Sequence, residues 1–134
     1  MIRTAVDTSV LLDVLVGDPV HGSSSRKIMQ RCWEEGCLVA CDVVWAEVRP
    51  RFESDESFLM IVDKMGLGFD PMESEAALLA GTLWKKYRSE GGKRDRMIPD
   101  FLIGAHAVKQ AHRFLTRDRG FYRKYFKELE ILEP

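Results

Sequence analysis

Histidine and cysteine are scarce in this chain, three of each among 134 residues. Cys32, Cys37 and Cys41 are an odd count, form no Cys-x-x-Cys pair and have no histidine nearby, so neither a disulfide framework nor a zinc site is indicated. They are expected as free thiols in a reducing compartment. A long apolar run is missing too. Asp7 and Asp13 interrupt the N-terminal apolar stretch, so it offers neither a membrane span nor a signal sequence, and we read the protein as soluble and cytoplasmic. Net charge is nearly absent, at −1, which alone predicts no nucleic-acid partner.

What is present changes that last reading. Residues 85–127 hold 13 of the 20 lysines and arginines but only four of the 21 acids, Glu90, Asp95, Asp100 and Asp118. That segment carries +9 and the remainder −10. A phosphate backbone is expected to lie along the basic half. With 46% hydrophobic and 31% charged residues, and no repeat, linker or low-complexity tract, the chain is expected to form a single domain spanning residues 1–134.

Short apolar runs suited to buried parallel strands fall at 3–6, 38–41, 67–69, 114–116 and 129–132. Helical patterns lie at 23–35, 42–51, 56–65, 73–88, 99–112 and 120–126, and Ser89 to Arg96 reads as a loop. Asp42 and Ser54 or Asp55 suit helix caps, Pro99 a first helical position, and Gly36 and Gly66 C-terminal stops. Alternating strands and helices imply an α/β fold whose parallel sheet is covered on both faces, with ligands gathering beyond the C-terminal strand ends.

Two acids follow strands, Asp7 after the first and Asp118 after the fourth, and two lie early in helices, Glu47 and Asp100. Asp100, Gly104, Ala107 and Ala111 share one helical stripe, whose small residues let the helix press close to the sheet and lean the carboxylate over the strand ends. A lone Asp near a helix start is also explained by the macrodipole. Four carboxylates drawn together repel one another, and a hard divalent ion neutralises them. An all-oxygen donor set without histidine favours Mg²⁺ or Mn²⁺ over zinc. Such ions activate water and stabilise the leaving oxygen in displacement at phosphorus.

These residues resemble the PIN domain family, and within it the small VapC-like toxins of toxin–antitoxin pairs. The resemblance rests on Ala5-Val6-Asp7-Thr8-Ser9-Val10-Leu11-Leu12, Trp45-Ala46-Glu47-Val48, Ile98-Pro99-Asp100-Phe101-Leu102-Ile103-Gly104-Ala105-His106-Ala107 and Phe114-Leu115-Thr116-Arg117-Asp118-Arg119-Gly120-Phe121. Each motif is common alone, but their order and spacing are specific. The resemblance implies a three-layer α/β/α sandwich around a parallel sheet of about five strands, ordered 3-2-1-4-5. It also implies an Mg²⁺- or Mn²⁺-dependent endoribonuclease, with metal on Asp7, Glu47, Asp100 and Asp118, and a cognate antitoxin. Ser9 and Thr116 match polar positions that support the metal or its waters; a helix cap and strand-end hydroxyl bonding explain them equally well. Cleavage by activated water is expected to leave a 5′-phosphate and a 3′-hydroxyl.

Arg117 and Arg119, flanking Asp118, are expected to contact RNA phosphates, while Phe121, Tyr125 and Phe126 are expected to pack their helix against the sheet. The run Phe58-Leu59-Met60-Ile61-Val62 wraps more than one helix face, so part of it is expected to meet a second copy of the chain or the antitoxin, with Trp33 and Trp45 as neighbours or as core residues. His106 lies off the Asp100 face and is expected to be neither ligand nor base. Asp13, Asp18, Asp42 and Asp95 read as surface, turn, cap and loop acids.

Other readings fit less well. A dehalogenase-like phosphotransferase needs an acid where Ser9 stands, and a receiver domain needs an acidic pair at the first strand end. An RNA-processing PIN nuclease is usually joined to further domains, and a catalytically silent binding module would not need all four acids.

Overall fold

The computed structural model describes residues 1–91 and 96–134. The chain runs β1 (Ile2–Val6), α1 (Thr8–Leu15), α2 (Gly22–Glu35), β2 (Gly36–Ala40), α3 (Asp42–Val48), a 3₁₀ turn (Arg49–Arg51), α4 (Asp55–Lys64), β3 (Leu67–Phe69), α5 (Ser74–Ser89), α6 (Ile98–Gln110), β4 (Arg113–Leu115), α7 (Arg119–Tyr125) and β5 (Glu130–Leu132). All pairings are parallel and the strand order is β3-β2-β1-β4-β5. The β1→β2→β3 crossovers progress toward one edge and the β3→β4→β5 crossovers toward the other. Right-handed connections therefore put α1 to α4 on one face and α5 to α7 on the opposite face.

Each layer has its own aromatic packing. Trp45 meets Phe58 and Phe69 at ring-centroid distances of 5.1 Å on one side. On the other, Phe101 packs edge-on against Trp84 and Phe121. The sheet between them is dry: Ala5, Val6, Leu38, Ala40, Phe114 and Leu115 are nearly inaccessible. Phe121 and Phe126 are buried and Tyr125 is partly buried, so these rings secure α7 as the sequence implies.

Local signals explain most boundaries. Ser54 caps α4, accepting the Ser57 N–H at 3.1 Å while Ser57 Oγ accepts from the Ser54 N–H. Gly66 takes a left-handed φ of 68° just after α4, as a C-terminal stop should. Gly36 is the C-cap of α2, as expected, but in an extended conformation that leads straight into β2, where a Cβ would overlap the backbone of Ile2. Asp42 is not the cap of α3: Cys41 holds that position, and Asp42 Oδ1 accepts from Met72 N at 3.4 Å. Helix α1 is an addition to the helical patterns read from the sequence and carries Val10, Leu11 and Leu12. The cap supplied by Asp7 turns them into a helix.

Among the remaining acids, Asp13 differs from expectation. Asp13 is 3% exposed, not a surface residue. Its carboxylate takes two bonds from Arg117, at 2.7 and 2.9 Å, and one from Ser25 Oγ at 2.9 Å, which tie α1 to α2 and to the segment after β4. His106 is buried with its Nε2 2.8 Å from Asp70, which also receives Arg3 and Gln110; this cluster fixes the β3–α5 connection to α6. Asp18 is a turn acid as expected, accepting from Val20 N and His21 N. Asp95 lies outside the described residues.

Candidate active site

Strands β1 and β4 are neighbours, yet their outgoing connections leave toward opposite edges of the sheet. Such a reversal opens a crevice beyond the C-terminal strand ends. Asp7 follows β1 there and serves as the N-cap of α1, its Oδ1 accepting the Thr8 N–H at 2.8 Å. Asp7 Oδ2 accepts the hydroxyl of Thr116 at 2.7 Å and that of Ser9 at 3.5 Å. Thr116 is wholly buried and its oxygen also accepts the Asp118 N–H at 2.9 Å. The segments leaving two neighbouring strands are thereby locked together through one hydroxyl.

Glu47 projects from α3, exposed, and its Oε1 accepts the Thr8 hydroxyl at 2.7 Å. Asp100 lies in the first turn of α6, where its Oδ2 accepts the Met97 N–H at 3.5 Å. On the small-residue stripe below it, Gly104 meets the Phe126 ring rather than a strand: a Cβ there would stand 2.5 Å from that ring. Asp118 occupies the N-cap position of α7, three residues past the end of β4, and its side chain makes no capping bond. It pairs with Arg96, whose guanidinium sits 4.2 Å from the Phe121 ring centroid.

The electrostatics are those of crowded acids. Burial raises the Asp7 carboxyl to about 6; hydrogen bonds from Thr116 and Thr8 oppose that rise, and the charges of Asp100 and Glu47 add to it. Asp100 is raised as well, first by burial and then by Asp118, with the Met97 N–H and Arg96 opposing. The Tyr122 phenol, 1% exposed, is pushed far up by burial and by the charges of Asp7, Asp100 and Asp118. The structure thus brings Asp7, Glu47, Asp100 and Asp118 into one electrostatic neighbourhood, with Ser9 and Thr116 bonded to Asp7.

The two arginines expected at phosphate divide. Arg117 is held by Asp13, whereas Arg119 is exposed and, among the described residues, makes a 3.4 Å contact to Glu133. Sequence reasoning missed Arg96 and Tyr122. Tyr122 lies four residues past Asp118, one helical turn on, and that spacing is the available signal; Arg96 reads in sequence as the end of the Ser89 to Arg96 loop.

The donor chemistry fits a hard divalent ion: four carboxylates, one of them buried with a raised pKa, and hydroxyls behind them. Among the described residues, no three of these side chains converge closely enough to hold an ion as oriented. Glu47 turns to Thr8 and Asp118 to Arg96.

The parallel sheet in this order, with acids at its switch point, defines a class, and sequence comparison agrees: the PIN domain model matches residues 4–127, so the chain belongs to the PIN domain family. Its fold is similar to that in VapBC2 from Rickettsia felis bound to a promoter DNA fragment, with TM-score 0.75, 15% identity and 98% of each chain covered. VapBC-1 from nontypeable Haemophilus influenzae gives 0.73 and 15%, covering 98% of this chain and 97% of that one. A toxin–antitoxin complex from Klebsiella pneumoniae gives 0.68 and 16%, covering 96% and 95%. No curated protein sequence matches the chain.

Proposed function

We propose that this protein is a divalent-metal-dependent endoribonuclease, the toxin of a toxin–antitoxin pair, acting in the cytoplasm on cellular RNA. The observation that carries the reading is that Asp7, Asp100 and Asp118, with Glu47, lie within electrostatic reach of one another at the switch point of a PIN-family sheet. Support for the toxin role comes from full-length fold similarity to chains of toxin–antitoxin complexes.

Asp7, Asp100, Asp118 and Glu47 are the residues to hold Mg²⁺ or Mn²⁺. When bound, the ion supplies Lewis-acid activation of water and of the phosphodiester. The Thr116 and Ser9 hydroxyls orient Asp7, and Thr8 orients Glu47. Attack by water on phosphorus forms the new P–O bond and breaks the bond to the ribose 3′ oxygen, which leaves with a proton. The products are a 5′-phosphate and a 3′-hydroxyl, and the 2′-hydroxyl takes no part.

We assign RNA phosphate contact to Arg119. A guanidinium already neutralised by a buried carboxylate releases little counterion, so Arg117 is reassigned to positioning the segment after β4. For the antitoxin, a groove of about 320 Å³ lined by Val14, Met29, Leu38 and Met65, with Trp33 at its rim 53% exposed, suits an apolar segment. Leu59 and Met60 of α4 and Phe69 at the end of β3 stay exposed and suit a homodimer contact. No helix among the described residues is long and apolar enough to cross a membrane.

Induced expression of the chain should arrest growth, Asp100→Asn should not, and co-expression of a short DNA-binding protein encoded by the adjacent upstream gene should restore growth. Unaffected growth on expression of the wild type counts against the toxin role.

A further inference from the structure

Arg96 stands two residues before α6 begins, with its side chain 26% exposed. Three observations meet at its guanidinium. It pairs with the carboxylate of Asp118, it lies over the Phe121 ring at 4.2 Å, and its charge reaches Asp100. Asp118 for its part is at the N-cap of α7, where a carboxylate ordinarily accepts backbone N–H groups, and it makes no such bond. Its carboxylate is turned toward Arg96 instead. An exposed ion pair held by two flexible side chains is worth little, but an aromatic face beneath the cation and a second acid beside it fix this one in place.

A guanidinium is always charged, and it has no lone pair to offer a metal. Among these carboxylates it can only take the electrostatic place of a cation. We propose that Arg96 is a resident counter-cation of the acid cluster, which holds Asp118 in the ion-free protein and is exchanged for the divalent ion when Asp118 turns to bind it. This inference rests on the metal-nuclease reading above. The Asp118 carboxylate is engaged by the guanidinium, so binding an ion requires it to leave Arg96. Exchange makes ion binding competitive: every ion that engages Asp118 must displace an internal cation that never dissociates from the chain. The Phe121 ring keeps the displaced guanidinium at the rim of the site.

Calorimetric titration of Mn²⁺ into the intact, ion-stripped protein tests the exchange without reference to activity. Arg96→Gln should bind Mn²⁺ about tenfold more tightly than wild type, the size expected when one charge-assisted contact no longer competes. Arg96→Lys should stay near wild type. Arg119→Gln makes the same change in net charge outside the acid cluster and should tighten binding far less, which separates occupancy of the site from general electrostatics. Equal or weaker Mn²⁺ affinity in Arg96→Gln overturns the exchange, as does an equal gain in Arg119→Gln. If neither wild type nor Arg96→Gln binds Mn²⁺, the metal-nuclease reading falls and the exchange with it; if both bind equally, only the role of Arg96 falls.

Discussion

The Thr116 hydroxyl donates to Asp7 Oδ2 at 2.7 Å while its oxygen accepts the Asp118 backbone N–H at 2.9 Å. One buried side chain thus sets the spacing of two acids that are 111 positions apart in the chain. Thr116→Val keeps the shape and removes both bonds, leaving a buried carboxylate and an amide short of partners. It should destabilise the fold by about 1–3 kcal/mol and raise the Asp7 pKa further. Thr116→Ser should retain most of both. Urea unfolding, with the Asp7 titration followed by carboxyl NMR, checks this.

Asp7 links the site to pH. Its folded-state pKa of about 6 lies above the ordinary 3.8, so the folded protein holds this proton more tightly than the unfolded chain does. Stability from this group is therefore greatest below the unfolded value, declines between the two, and is lowest above about 6, at a cost of about 3 kcal/mol. Asp7→Asn removes the cost and gives up charge-assisted bonds. In ion-free buffer at neutral pH it should stabilise the fold by about 1–2 kcal/mol, with the gain vanishing below about pH 4. Chemical unfolding at both pH values measures it.

Arg117 and Arg119, two residues apart, should behave differently. Arg117→Met strands the Asp13 carboxylate, 4% exposed, and should cost about 3 kcal/mol of stability. Arg119→Met should change stability by no more than about 0.5 kcal/mol, and should weaken binding of single-stranded RNA while flattening its salt dependence. Thermal unfolding and fluorescence anisotropy over a salt series separate the two.

Gly104→Ala gains helix propensity yet places a methyl against the Phe126 ring, which is 3% exposed and must shift to admit it. The collision should dominate, at about 1–3 kcal/mol of destabilisation. Adding Phe126→Leu should recover part of the loss, and a double-mutant cycle in urea reads the coupling.

Much of this was legible in the sequence because periodicity and strand-end chemistry are local. The five strands, the acids after β1 and β4, and the cap at Ser54 follow from residues within a turn or two of one another. What was not legible depends on distant partners. Asp13 looks like a surface acid until Arg117 arrives from across the fold, and the role of His106 depends on Asp70. Helix α1 sits within an apolar stretch, and the bond that starts it, from the Thr8 N–H to the Asp7 carboxylate, carries no periodic signal. Arg96 carried no motif at all, and its place is set by Asp118 and Phe121, more than twenty residues on.

The most direct test of the central claim is to map the ends of RNA cut by purified protein, wild type against Asp100→Asn, with Mn²⁺ and with chelator. Cleavage by wild type with Mn²⁺ alone, leaving 5′-phosphate and 3′-hydroxyl ends, is the predicted result, with Asp100→Asn inert. Wild-type cleavage by Asp100→Asn, cleavage in chelator, or 2′,3′-cyclic phosphate ends would contradict it.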